Sequence, residues 1–112
     1  MAKAKAQPPT YAVVFVTARD AEEAEKISKA LVKRRLAACV NTIPQVNTHF
    51  WWKDKLEHQK ESFLIIKTKE SLVPEIVKAV KKLHSYSVPE IIALPIIGGD
   101  EAYLDWIENE VV

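Results

Sequence analysis

Three side chains able to move a proton or hold a ligand stand close together in Leu83-His84-Ser85-Tyr86-Ser87-Val88-Pro89-Glu90: His84, Tyr86 and Glu90. Ser85 to Pro89 carries turn formers, and Pro89 has no N–H to continue a ladder. The stretch therefore reads as a loop between a helix ending near His84 and a short strand, Ile91–Leu94, which Pro95 limits. An imidazole, a phenol and a carboxylate in one tight loop make either a binding site or a corner whose polar groups satisfy one another. Their spacing matches no metal or nucleophile motif.

Other reactive residues are scattered. Lys67 ends the apolar run Ser62–Thr68, where an ammonium needs a carboxylate or an outlet to water. Glu90 is its expected partner if the two strand ends adjoin. Cys39, in Ala37-Ala38-Cys39-Val40, has the apolar setting of an inert buried thiol. His58 lies among charged residues and reads as solvated, and His49 reads as an interface residue. With no C-x-x-C, no H-E-x-x-H and no His pair close in sequence, a metal site would draw its imidazole and thiolate from two chains, a donor set that suits copper. Gly98-Gly99 before a helix is a weak anion-site hint and a better cap.

The elements that position these residues follow from periodicity. Tyr11–Ala18 is a β-branched and aromatic run, expected to be a largely buried strand. Asp20 caps a helix, with Glu23 in the capping-box position and Ala24, Ile27, Ala30 and Leu31 as its apolar stripe. A second strand starts at Ala37–Val40, is broken at Pro44, and resumes with Val46, Thr48, Phe50 and Trp52 on one face and Asn47, His49, Trp51 and Lys53 on the other. A turn at Asp54-Lys55, a charged stretch and the buried strand Ser62–Thr68 complete a long, bent hairpin. Ser71 opens a second helix, and Asp100 caps a last one from Glu101. The expected fold is α+β: a ferredoxin-like βαββαβ sandwich with an extra C-terminal helix. Residues 1–10 read as a flexible tail and 11–112 as one domain.

Composition narrows the function. The chain has 112 residues, 48% of them hydrophobic, as in a folded globular domain. Its 16 Lys and Arg against 15 Asp and Glu leave a net charge of +1, which argues against a dedicated nucleic-acid binder. No run of about 20 apolar residues is present for membrane insertion, and the single cysteine fits a reducing, cytoplasmic setting. Phe50-Trp51-Trp52 alternates faces on a two-stranded ribbon, so one aromatic face stays outside and points to self-association.

Several motifs together resemble the CutA family of divalent-cation tolerance proteins. They are Arg35-Leu36-Ala37-Ala38-Cys39-Val40-Asn41, Ile43-Pro44, Trp52-Lys53-x-Lys55, Ile65-Ile66-Lys67-Thr68, Leu83-His84-x-Tyr86-x-Val88-Pro89-Glu90-Ile91-Ile92-Ala93-Leu94-Pro95 and Tyr103-Leu104-x-Trp106. The resemblance runs from Tyr11 to Ile107. It implies a homotrimer similar in architecture to PII signalling proteins, a role in the response to metal ions, and no catalysis or organic cofactor. It implies weak binding of copper (Cu2+) or another divalent cation, with His84, Cys39 and Glu90 as the ligand set. It also implies an intersubunit cleft lined by Lys67, Trp52, Tyr86, Tyr103 and Trp106. The PII likeness offers an alternative: a signalling or adaptor trimer that binds a small anionic ligand at Lys67. Some bacterial members carry a cysteine where this chain has Val16 and a His pair where it has Leu83-His84.

Overall fold

The computed structural model describes residues 10–112, so the tail expected over residues 1–10 lies, but for Thr10, outside the described residues. The elements run β1 (Tyr11–Ala18), α1 (Ala21–Lys33), β2 (Cys39–Trp52), β3 (Lys55–Lys69), a 3-10 turn (Glu70–Leu72), α2 (Val73–Leu83), β4 (Ile91–Ile96) and α3 (Glu101–Glu110). The four strands form one antiparallel sheet in the order β2-β3-β1-β4. This is the βαββαβ arrangement with a C-terminal helix that the sequence predicts.

Each helix starts for an identifiable reason. The Asp20 side chain accepts from the Glu23 N–H at 2.9 Å, and the Asp100 side chain accepts from the Tyr103 N–H at 3.0 Å. Ser71, the expected cap of the second helix, instead lies in the 3-10 turn, and α2 begins at Val73 with no side-chain cap. There Pro74 preorganises the first turn, where its missing N–H costs nothing. α1 ends on Arg35 at φ 56°, a left-handed residue usually supplied by glycine. The Leu36 N–H then bonds back to the Leu31 carbonyl at 3.0 Å.

The core lies on one face of the sheet. Val14, Val16, Ala18, Leu64 and Ile66 are buried with Ala24, Ile27 and Leu31 of α1 and Ile76, Ala79 and Val80 of α2. Thr68 is wholly buried and donates to the Leu36 carbonyl at 2.6 Å. β1 and the second half of β3, expected to be largely buried, alternate between buried and half-buried residues. On the far face, α3 covers one end, where Lys69 Nζ lies 3.4 Å from Glu108 Oε1. The rest of that face is open: Phe15 and Phe63 pack with ring centroids 5.1 Å apart, and Ile43, Ile92 and Leu94 beside them are exposed. β4 runs on to Ile96 through Pro95, which an edge strand tolerates because its outer side needs no N–H.

β2 and β3 outrun β1 and β4 and pair to Trp52↔Lys55, forming a hairpin that helps stretch the molecule to 57 Å. A register shift between Ile43 and Val46, with Gln45 at φ 57°, marks the bulge at Pro44. The turn is Lys53-Asp54, one residue earlier than expected, with φ 49° and 63°. Two left-handed residues between paired strands make a type I′ turn, the form that suits strand twist.

Neither Lys53 nor Asp54 is the residue type that favours this turn. Replacing the pair with Asn-Gly (Lys53→Asn with Asp54→Gly) is expected to raise unfolding free energy by about 1 kcal/mol, because left-handed strain is relieved. Urea unfolding monitored by circular dichroism checks the gain.

Candidate functional site

The loop after α2 is held by a carboxylate on α1. Glu23, read from sequence as the capping-box residue, is buried, with 6% of its surface exposed. Its Oε1 accepts from the Arg19 N–H and its Oε2 from the Ser85 N–H, both at 2.9 Å. One side chain thus joins the end of β1 to the start of the 84–90 loop. Burial pushes the Glu23 carboxyl up, but the hydrogen bonds from Arg19 and Ser85 outweigh it and bring it below the ordinary carboxylate range.

His84 is fastened beside it, its side chain wholly buried. Nδ1 accepts from the Tyr86 N–H at 3.1 Å, so Nε2 carries the ring proton and donates to the Thr17 carbonyl at 2.7 Å. In that tautomer the 3.5 Å approach of Nδ1 to Glu23 Oε1 is a packing contact and not an ion pair. Both nitrogens are therefore engaged within the subunit, as in a self-satisfied corner. The Tyr86 ring, 4.7 Å from that of His84, carries the chain into a cavity.

That cavity measures about 470 Å³ and opens between the loop and the inner face of the hairpin. Thr48, Phe50 and Trp52 of β2, Glu57, Gln59 and Glu61 of β3, and Tyr86, Val88 and Glu90 of the loop line it. The alternation read from sequence placed Thr48, Phe50 and Trp52 on one face, and that face is the cavity wall. The Tyr86 phenol donates to Glu61 Oε2 at 2.7 Å and meets Gln59 Oε1 at 2.9 Å. Its single proton serves Glu61, so the Gln59 contact is satisfied with the amide NH₂ turned toward the phenol. Burial and the adjacent Glu61 both raise the Tyr86 hydroxyl well above its usual range. Glu90 is raised too, by burial first and then by the charge of Glu61.

A second cluster occupies the opposite end of the sheet. Lys67 Nζ donates to Asn41 Oδ1 and lies 4.0 Å from Cys39 Sγ. Tyr103 stands against Cys39, where burial and the neighbouring thiol raise its hydroxyl, and its ring is 5.4 Å from Trp106. The expected Lys67–Glu90 pair does not form: Lys67 lies opposite Val13, whereas Glu90 precedes Ile91, which lies opposite Val16. The ligand set His84, Cys39 and Glu90 is likewise not brought together in one subunit. Cys39 shares a rung with Lys67 and Val13, while His84 bonds Thr17. Those positions are four residues apart along β1, a rise of about 13 Å. Within one subunit, the residues expected to line the intersubunit cleft thus form two groups, Trp52 and Tyr86 apart from Lys67, Tyr103 and Trp106.

Among the described residues no group of three or more His, Cys, Asp or Glu is arranged to hold a metal ion. Two imidazoles do meet: His49 and His58 are cross-strand partners, stacked 4.3 Å apart on the outer face of the hairpin. They stand nine positions apart in sequence, and only the hairpin register reveals the pair. Glu23 and Glu61 were equally hidden, since neither lies near the loop in sequence.

A family model described as CutA1 divalent ion tolerance protein matches residues 12–110. The chain is 43% identical to the chloroplastic Protein CutA 1 of Oryza sativa subsp. japonica over 87% of its own length, and it spans only 55% of that relative. It is 43% identical to the divalent-cation tolerance protein CutA of Archaeoglobus fulgidus, covering 88% of this chain and 95% of that one. The solved structure of the divalent cation tolerance protein from Thermus thermophilus superposes with a TM-score of 0.89 at 41% identity, over 91% of this chain and 99% of that chain.

Two stability predictions follow from the carboxylates. Glu23→Ala leaves two backbone N–H groups without acceptors and should cost about 2–4 kcal/mol in urea unfolding at neutral pH. Because the folded Glu23 carboxyl is depressed, its contribution is complete above the unfolded value of about 4.3 and fades as pH falls through the folded value, so wild type and variant converge in acid. Glu90 has the opposite sign. Its raised folded value means that ionisation opposes folding, so Glu90→Gln should match or exceed wild-type Tm at pH 7 and lose that advantage below about pH 4.

Proposed function

The chain belongs to the CutA1 divalent ion tolerance family, and from that premise we propose that it acts as a homotrimeric, non-catalytic protein of the divalent-cation response. The observation that supports the trimer is the open half of the sheet. Among the described residues, Phe15, Phe63, Ile43, Ile92 and Leu94 form a continuous apolar face with no helix above it, flanked by the unpaired edges of β2 and β4. Apolar sheet faces and free edges of this kind call for a partner, and a closed ring of identical chains supplies one. The chain's two long apolar strands are then buried on both sides after all, as their sequences suggest.

Metal binding in this reading is weak and depends on assembly. Cys39 is partly exposed at the start of β2 and brings a soft donor with Lys67 beside it. The remaining ligands come from a neighbouring subunit, because His84 and Glu90 of the same chain are too far away. His84 serves the metal response only by holding the loop. One unpaired thiol suits the reducing cytoplasm. The anionic-ligand alternative at Lys67 has less support, since the ammonium is already engaged by Asn41.

Ile92→Lys places an ammonium on the apolar face and is expected to convert trimer to monomer in light scattering coupled to gel filtration. A wild-type chain that is monomeric at micromolar concentration, or a variant that stays trimeric, overturns the assembly. Calorimetric copper titration of the wild-type trimer should give weak heat that disappears in Cys39→Ser and persists in His84→Ala. Heat that survives Cys39→Ser and vanishes in His49→Ala moves the site to the hairpin imidazoles.

A further inference from the structure

The cavity beneath the hairpin holds Trp52, Tyr86 and Glu90, which the family resemblance assigns to ligand binding, but its chemistry differs from that of the Cys39 cluster. Among the described residues its charged lining is all of one sign, Glu57, Glu61 and Glu90, with no Lys, Arg or His. Its apolar walls are the aromatic rings of Phe50, Trp52 and Tyr86. A rigid wall backs the carboxylates: Glu61 is buried and held by the Tyr86 phenol at 2.7 Å, and Tyr86 is fixed in turn through His84.

The spread of charge decides the ligand class. A divalent metal needs several donors around one point, and these carboxylates do not gather so. Charges distributed round an aromatic-walled space suit a cation that is itself extended. Ammonium groups meet the separate carboxylates and the ring faces, and methylene segments between them lie on the rings. An anion would face three carboxylates with no counter-charge. Burial first, and then the charge of Glu61, raises the Glu90 carboxyl.

We propose that this cavity, bounded by Phe50, Trp52 and Tyr86 and by the carboxylates of Glu57, Glu61 and Glu90, binds an aliphatic polyamine. Its volume of about 470 Å³ lies in the range of small-molecule sites. Binding needs neither Cys39 nor a metal, so it stands or falls independently of the copper reading.

The test is calorimetry of spermidine with the wild-type protein in its native oligomeric state, at fixed ionic strength. Saturable binding of one spermidine per subunit is expected. Glu57→Gln and Glu90→Gln should each weaken it about tenfold, as the loss of one charge-assisted hydrogen bond does. Trp52→Ala should also weaken it, and Mg2+ at matched ionic strength should not displace the amine. Three results overturn the proposal: no saturable heat, as when a second copy fills the cavity; displacement by Mg2+, which marks diffuse screening; or wild-type affinity in both Gln variants. Glu57→Gln is the second, independent variant, since Glu57 lies on the hairpin and not in the loop.

Discussion

The Glu23 carboxylate is the contact on which both ends of the candidate site depend. It is buried at the base of α1, and its two oxygens take the Arg19 and Ser85 N–H groups. With Ser85 fixed, the His84 ring can span from the Thr17 carbonyl to the Tyr86 N–H, and the tyrosine side chain then points to Glu61. Each step in this relay satisfies a polar group at the loop. Such a chain is stiff, because moving one member leaves its neighbours unsatisfied in low dielectric. The loop is therefore a rigid wall for the cavity and not a flap across it.

Strand length supplies the opposite wall. β1 and β4 stop where the helices pack, but β2 and β3 continue as a ribbon with no core beneath it. The Pro44-Gln45 bulge interrupts the ladder, and strong twist is the usual consequence for a two-stranded ribbon. The inner face thereby acquires Thr48, Phe50 and Trp52 opposite Gln59 and Glu57, facing the loop. The outer face carries Trp51, Leu56 and the stacked imidazoles. Alternation by two makes one ribbon serve two environments.

Nearly all of the architecture was legible in the sequence because it rests on local signals: the Asp20 and Asp100 caps, the α1 and α2 stripes, and the alternation along the hairpin. The misreadings have physical causes. Ser71 looked like a cap because Ser favours that position, but Pro74 shaped the turn instead. Pro95 looked like a strand end, which holds for a central strand and not for an edge. Of the candidate site, the loop residues His84, Tyr86 and Glu90 were visible as a group, whereas Glu23 and Glu61 were not. Their partners lie 62 and 25 residues away, and no periodicity encodes a pairing of that range. The same blindness hid the His49–His58 pair, which is a property of register.

Net charge conceals what these residues do. A balance of +1 argues against a dedicated nucleic-acid binder, yet it says nothing of how the charges are sorted. Here the fold sorts them: a lysine and a thiol stand at one end of the sheet, and three carboxylates line a cavity at the other. The residues at the two ends cannot act on one ligand within a subunit, because the rise of β1 separates them. A ligand that used both would have to lie between chains, and a ligand held within one chain must match a single end. Each end also limits its own chemistry. The Cys39 cluster offers one soft donor beside a cation, so it is incomplete without a neighbour. The cavity has walls, charge and volume inside one subunit, so it can recognise a ligand without the donors that the Cys39 end lacks.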